Sequence, residues 1–422
     1  MKLLKGNIIH ASKLGQLETL EHGCMMLQED GTIMEIRSEA PDLFDGEVYD
    51  YGDKLILQSF VDMHLHAPQY PMLGIGMDLP LLEWLQMYTF PTEVRFSDPE
   101  YARRVYHKLA QELIANGTTR VCMFGTMHTD STLILMEELE QAGVTGYVGK
   151  VNMDRNGGAN LQETTVGSEE ETLRFLKKAI TFPHVHPILT PRFTPSCTDD
   201  LMAFLGELGQ ENGLYVQSHL SESKAEIEWV RGLHPECKQY WETYEKYGLW
   251  KDHTVMAHCV HSDAREREAI KEAGVVVAHC ADSNISLCSG ICPVREMLEE
   301  GIWVTLGSDI AGGSALPMYR AITTSIQASK VRHFQEAAAP AFLTVPEGYY
   351  LGTTSGHRYF GAGDGFSVGD KLHAIVVDDS DFAEPTRALT LSERLERALY
   401  QMSSENICSV WSEGRNVLKK EK

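Results

Sequence analysis

From about residue 59 to residue 309 the sequence alternates between short apolar runs and longer stretches of helical period. Eight such runs finish near His66, Gly125, Asp154, Phe193, Glu222, Val260, Asn284 and Asp309, with helical stretches over 98–116, 168–180 and 198–212 between them. Strands separated by helices must pair in parallel, and eight βα units are the arithmetic of a TIM-like (β/α)8 barrel of the α/β class. The flanks read differently. Short strands are expected over 2–10, 24–28 and 32–37, with Glu29-Asp30-Gly31 as a hairpin turn. Short strands return over 372–377 and 407–411, with one helical stretch around 392–402. With 422 residues there is room for one large domain and a smaller one. The expected division is 1–58, 59–363 and 364–422, the first and last pieces forming one small discontinuous β-sandwich around the barrel.

Charge narrows the partners. Against 37 basic side chains stand 60 acidic ones, a formal charge of -23 that repels phosphate backbones and anionic lipid alike. Neither nucleic acid nor membrane is an expected partner. The nine cysteines are an odd number without tight pairing, which fits free thiols in a reducing compartment. No apolar stretch approaches membrane length and the first residues carry no sustained apolar core, so the cytosol is the expected location.

In a barrel of this kind chemistry comes from the carboxyl ends of the strands. His64 and His66 close the run 55–63 two residues apart, so on a strand both imidazoles face one side and can reach one ion. His184 and His186 repeat the spacing but precede their run, at the opposite end of a strand, and read as structural. His219 ends the run 214–218, and Asp309 ends the run 302–308. Three imidazoles and a carboxylate suit zinc or ferrous iron, with water in an open position. Glu222, three residues past His219, either serves as general acid and base beside that ion or caps the helix beginning near Ser223. His258 ends the run 254–257 and can orient the nucleophile or stabilise developing charge. His279 reads as a more distant neighbour and His261 as a loop residue.

Where a second ion would need a bridging ligand, the chain has Thr190-Pro191-Arg192-Phe193. Arg192 offers a fork of donors, Phe193 a flat apolar face, and Gln69 an amide that donates and accepts. Together they describe a pocket for a planar, nucleobase-like heterocycle, with a structural ion pair as the other reading of Arg192.

The segment Phe60-Val61-Asp62-Met63-His64-Leu65-His66, with His219, His258 and Asp309, resembles the amidohydrolase superfamily. Within it the chain resembles the branch that deaminates guanine. The matching segments are His66-Ala67-Pro68-Gln69-Tyr70, Asp78-Leu79-Pro80-Leu81-Leu82-Glu83-Trp84-Leu85, Tyr88-Thr89-Phe90-Pro91, Thr190-Pro191-Arg192-Phe193, Gln217-Ser218-His219-Leu220-Ser221-Glu222 and Ser308-Asp309-Ile310-Ala311-Gly312-Gly313. The resemblance implies one zinc per subunit, with ferrous iron as the alternative, held by His64, His66, His219 and Asp309 with His258 close by. It implies a purine bound by Gln69, Arg192 and Phe193 beside His66, His219, Glu222 and Asp309. Glu222, His258 and Asp309 form the implied catalytic set, with Glu222 moving the proton. The implied reaction is hydrolytic attack at C2 of guanine, releasing xanthine and ammonia, in a homodimer. Two departures stand out: Ala281-Asp282-Ser283-Asn284 replaces a usual proline after His279-Cys280, and Pro68 stands where serine is common. A separate zinc deaminase fold is marked by His-x-Glu together with Pro-Cys-x-x-Cys, and no Cys-x-x-Cys is present here.

Overall fold

The computed structural model describes residues 1–158, 160–335 and 341–420. Each of the eight apolar runs supplies a parallel strand. In chain order these are Phe60–His66, Thr118–Phe124, Thr145–Gly149 continued by Val151–Asn152, and Val185–Pro187 continued by Thr190–Pro191. Gln217–Leu220, Val255–His258, Val276–His279 and Val304–Leu306 follow. Neighbours in the chain pair in parallel, a bridge between Leu189 and Val216 linking the fourth strand to the fifth. The series returns on itself beyond the last strand: Asp309 N donates to His64 O at 2.8 Å and His66 N to Ile310 O at 3.1 Å. This is an arrangement of TIM-barrel type.

Parallel neighbours need long crossovers, which helices provide. Pro99–Ala115 shows the local logic. Asp98 accepts from Glu100 N at 3.0 Å as the N-cap, and proline takes the first turn, where no N–H is needed. Ala102, Tyr106, Leu109, Leu113 and Ile114 recur at helical spacing and are buried against the strands. The next helix, Thr129–Ala142, stops at Gly143, whose φ of 84° is left-handed backbone that glycine adopts without penalty. A Cβ there would also stand 2.6 Å from Val417.

The two ends of the chain form one mixed sheet of seven strands, and this corrects the expected β-sandwich. Lys2–Lys13 pairs in parallel with Glu47–Gln58, which pairs antiparallel with Ala374–Val377, so a single ladder joins both flanks. The run 55–63 is likewise two strands: residues 55–58 complete Glu47–Gln58, and the first parallel strand begins at Phe60. The seventh run stops at His279, and the residues placed at its end form the short helix Ala281–Ser286. Strand Gln16–Leu27 was expected only at its end, from residue 24, because its first half is largely exposed and carries no apolar signal. Among the described residues no helix is long and apolar enough to cross a membrane.

Candidate active site

The carboxyl ends of the strands gather His64, His66, His219, His258 and Asp309 into one buried cluster. At three of these ends the backbone leaves extended geometry for positive φ: Ser221 at 48°, His258 at 74° and Asp309 at 48°. Non-glycine residues take such angles at a cost, and the angles turn the side chains of Glu222 and Asp309 inward from short strands. His64 Nε2 lies 3.2 Å and His66 Nε2 3.7 Å from Asp309 Oδ1, and His258 Nε2 lies 3.8 Å from Asp309 Oδ2. Burial alone would raise the Asp309 pKa, but His64, His258 and His66 outweigh it and hold the carboxyl below its ordinary range.

The donor atoms suit a metal ion. His219 Nδ1 lies 2.5 Å from the carbonyl oxygen of Arg192, which can only accept, so that nitrogen carries the hydrogen and Nε2 offers a lone pair. Nε2 in turn lies 3.1 Å from His66 Nε2. His64 Nε2 and His66 Nδ1 are buried without a hydrogen-bond partner, the approach of His64 to Asp309 lacking hydrogen-bond geometry. Two ligand sets, His64 with His219 and His258, and His64 with His66 and Asp309, each keep their donor atoms within 4.8 Å of one another. Imidazole nitrogens turned on one another beside a carboxylate are the donor set of zinc or ferrous iron.

Glu222 is buried beside this cluster. Its Oε1 accepts from Ser289 Oγ at 3.0 Å, and its Oε2 lies 3.4 Å from His258 Nε2. The capping role left open by the sequence falls elsewhere: Ser223 is the N-cap of Lys224–Leu233, and Glu226 closes the capping box by accepting from Ser223 N. Glu226 Oε2 also accepts from Glu222 N at 2.9 Å. Burial raises the Glu222 pKa, with His258 opposing and the Glu226 and Asp309 carboxylates reinforcing, so the group can hold or release a proton near neutrality. His258 is held from behind by Asn284, whose Oδ1 accepts from Nδ1 at 2.9 Å. The segment 281–284 that departs from the usual pattern thus supplies this contact, while Asp282 is tied to Ser314 N and Oγ at 2.7 and 2.8 Å.

One pocket opens onto the cluster. His66, His219, Glu222, His258 and Asp309 line one side of it, and Gln69, Arg192 and Phe193 another. Leu81, Trp84, Leu85 and Leu287 provide apolar walls. Gln69 sits in the 3-10 turn Ala67–Met72, where Pro68 takes an opening position. Arg192 is paired with buried Glu93 at 2.6 Å, the ion pair of the other reading, and it also lines the pocket. Sequence reasoning missed Glu93, Glu226, Ser289 and the role of Asn284. The match ending at Pro91 pointed at the neighbourhood of Glu93, but spacing alone could not show which acid would meet Arg192.

The remaining histidines lie elsewhere. His186 is exposed at the start of its strand and His184 is half-buried. His261 Nε2 bonds the Ser289 carbonyl at 2.8 Å from a loop. His279 is buried at its strand end, where burial pushes its pKa down to about 4. One His-x-Glu does occur, His234 with Glu236, and with Asp199 it makes another acidic group. Lys246 already supplies the cation there, at 3.0 Å from Glu236 and 3.3 Å from Asp199.

A model of the amidohydrolase family matches residues 55–417. The chain is 36% identical to a guanine deaminase of Dictyostelium discoideum, across 99% of this chain and 98% of that protein. It is 39% identical to a guanine deaminase of Mus musculus, across 86% of this chain and 83% of the relative. Among solved structures, a guanine deaminase from C. acetobutylicum with guanine bound in its active site matches with a TM-score of 0.94 at 39% identity, covering 98% of this chain and 99% of that one.

Proposed function

The chain belongs to the amidohydrolase family, and from that premise we propose that it hydrolyses guanine to xanthine and ammonia. The observation that carries this reading is a single pocket lined by the His/Asp donors, by Glu222, and by the Gln69, Arg192 and Phe193 wall. The relatives and the guanine-bearing neighbour support the choice of purine.

In this reading His64, His66, His219 and Asp309 would hold one divalent ion per subunit, with His258 beside it. We assign zinc, ferrous iron satisfying the same donors. When bound, such an ion supplies Lewis-acid activation of water at neutral pH. Glu222 takes a proton as water adds to C2 of the ring and returns it to the departing amine. The Ser289 hydroxyl fixes Oε1 of that carboxyl and leaves Oε2 towards His258. Asn284 fixes the His258 ring so that Nε2 faces Glu222 and Asp309. Phe193 offers the purine a ring face, Arg192 and Gln69 offer donors to its edge, and the Leu81, Trp84 and Leu287 walls exclude water. A homodimer and a cytosolic location go with this reading, supported by the resemblance and by the nine free thiols. The domain division at 58/59 and 363/364 rests on the change from the mixed sheet to the parallel strands.

The test is conversion of guanine to xanthine by metal-analysed protein, followed by ultraviolet absorbance. Turnover that a chelator abolishes is expected. A fully metallated protein that leaves guanine untouched would overturn the substrate and turn attention to other aminated heterocycles.

A further inference from the structure

The wall that faces the proposed purine is held from behind by a residue that the reaction does not use. Glu93, on the helix Phe90–Val94, is 2% exposed, and each of its carboxylate oxygens takes a bond from a different pocket residue. Gln69 Nε2 donates to Oε1 at 3.0 Å, and Arg192 Nη1 donates to Oε2 at 2.6 Å. The other end of the Gln69 amide is fixed too, its Oε1 accepting from Ala311 N at 3.2 Å.

A glutamine amide is two-faced, able to present either a donor or an acceptor. Here turning it over would set its carbonyl against the Glu93 carboxylate and its NH2 against the Ala311 N–H. Two hydrogen bonds would become two like-pole contacts in a buried place, which strongly disfavours the flip. Arginine has no acceptor in any orientation. We propose that Glu93 is a positioning residue that gives the pocket wall its donor character, so that Gln69 and Arg192 select a purine edge carrying a carbonyl oxygen and a ring-nitrogen acceptor over one carrying an exocyclic amine. The proposal rests on the function proposed above and specifies its substrate class, a 2-amino-6-oxopurine. Glu93 does a second thing in the same place. The pocket also holds Glu222, Glu226 and Asp309, and pairing Arg192 with a carboxylate of its own keeps the guanidinium from being drawn onto those groups. Both effects fall on binding and selectivity; neither moves the proton that Glu222 handles.

The experiment compares wild type and Glu93→Gln on guanine and on 2,6-diaminopurine, which keeps the reacting 2-amino group and replaces the 6-oxo group by an amine. A glutamine at this position offers both an acceptor and a donor, so the contact at residue 93 no longer opposes turning Gln69 over, and only the Ala311 N–H still does. The KM for guanine should rise roughly ten- to a hundredfold with most of the loss in KM rather than kcat, and the guanine preference in kcat/KM should fall at least about tenfold. In a Gln69→Ala background the same substitution should change the preference less, because the two residues act through one contact. An unchanged KM and preference would overturn the proposal, as would a lower Tm and kcat with the preference intact, which marks a merely structural residue. Should Glu93→Gln not fold, Glu93→Asp keeps the charge, retracts the oxygens by one carbon, and should shift the preference in the same direction by less. Wild type that fails to turn over guanine would overturn the function itself and this proposal with it. Wild type that works beside a Glu93→Gln enzyme of undiminished preference would overturn this proposal alone.

Discussion

The parallel strands bury a histidine cluster at each end, and the two are satisfied differently. At the amino ends every ring nitrogen of His357 and His373 has a partner inside the protein. His357 Nδ1 meets Arg120 Nη1 at 3.2 Å and its Nε2 meets Ser59 O at 2.9 Å. His373 Nδ1 meets Thr119 Oγ1 at 2.8 Å and its Nε2 meets Glu413 Oε1 at 2.9 Å. At the carboxyl ends His64 Nε2 and His66 Nδ1 have no hydrogen-bond partner, and the Nε2 atoms of His66 and His219 face each other at 3.1 Å. Burying a polar group is costly unless it is bonded. The amino-end cluster is therefore complete as built and fastens the terminal sheet, through His373 and Glu413, to the strand residues Thr119 and Arg120 and, through His357, to Ser59 just before the first parallel strand. The carboxyl-end cluster is shaped for something it must bind. A cluster of buried histidines can thus be a fastening or a site, and what its nitrogens face separates the two.

The sharpest way to break this contrast is at Asp309, the carboxylate around which the carboxyl-end histidines are drawn. Asp309→Ala should lose the metal in elemental analysis and lose guanine turnover altogether, since it deletes a proposed ligand. A fully loaded variant would mean that the two ends do not differ as described. Next in size is Glu222→Gln, for which kcat should fall by roughly two to four orders of magnitude while metal content stays near wild type. Undiminished turnover would remove Glu222 from the proton path. Arg192→Lys should raise the KM for guanine by about tenfold, because a single ammonium cannot serve Glu93 and a planar ligand at once as the fork can. A KM equal to that of wild type would leave Arg192 as a structural ion pair only.

The smallest expected effect belongs to the amino-end cluster and is read as stability. Burial, reinforced by the Arg120 charge, pushes the His373 pKa down to about 4 and that of His357 well down. In the unfolded chain both take a proton near pH ~6.5, which the folded cluster refuses until the pH is far lower. The stability they contribute is therefore whole above about pH 6.5 and is lost as the pH falls from there towards 4. For His373 the loss is about 3 kcal/mol over the whole window. Glu413, lowered to about 2 by His373 and Arg120 against the opposing effect of burial, keeps its charge throughout that range. Urea midpoints at about pH 7 and about pH 5, with chelator present to take the metal out of the comparison, should fall further for wild type than for His373→Gln. Equal falls would place the acid sensitivity elsewhere.

The carboxyl-end cluster was largely readable from the chain. His64 and His66 share a face because the strand period is two, and His219, His258 and Asp309 each close an apolar run, so local pattern and position in the barrel were enough to nominate them. The amino-end cluster was invisible. Arg120, His357, His373 and Glu413 come from a strand, a helix, the residue before another strand and a turn, spread over most of the chain with no shared spacing. Glu93 was missed for the same reason: it lies on a five-residue helix, and its partners come from a 3-10 turn and from the end of a distant strand. The β-sandwich expectation failed because alternation tells which residues form strands but not which strands share a ladder, and the pairing of Lys2–Lys13 with Glu47–Gln58 made the flanks one sheet.

By itself, then, the sequence determined the alternation of strand and helix, the helix caps at Asp98 and Ser223, and the chemistry waiting at each strand end, because these depend on residues within a few positions of one another. Only the tertiary structure decided which nitrogens found partners in the protein and which remained for a ligand, and which carboxylate stood behind Gln69 and Arg192. Those outcomes depend on hydrogen bonds between residues up to hundreds of positions apart, such as Thr119 with His373 or Ala311 with Gln69, and no local period encodes them.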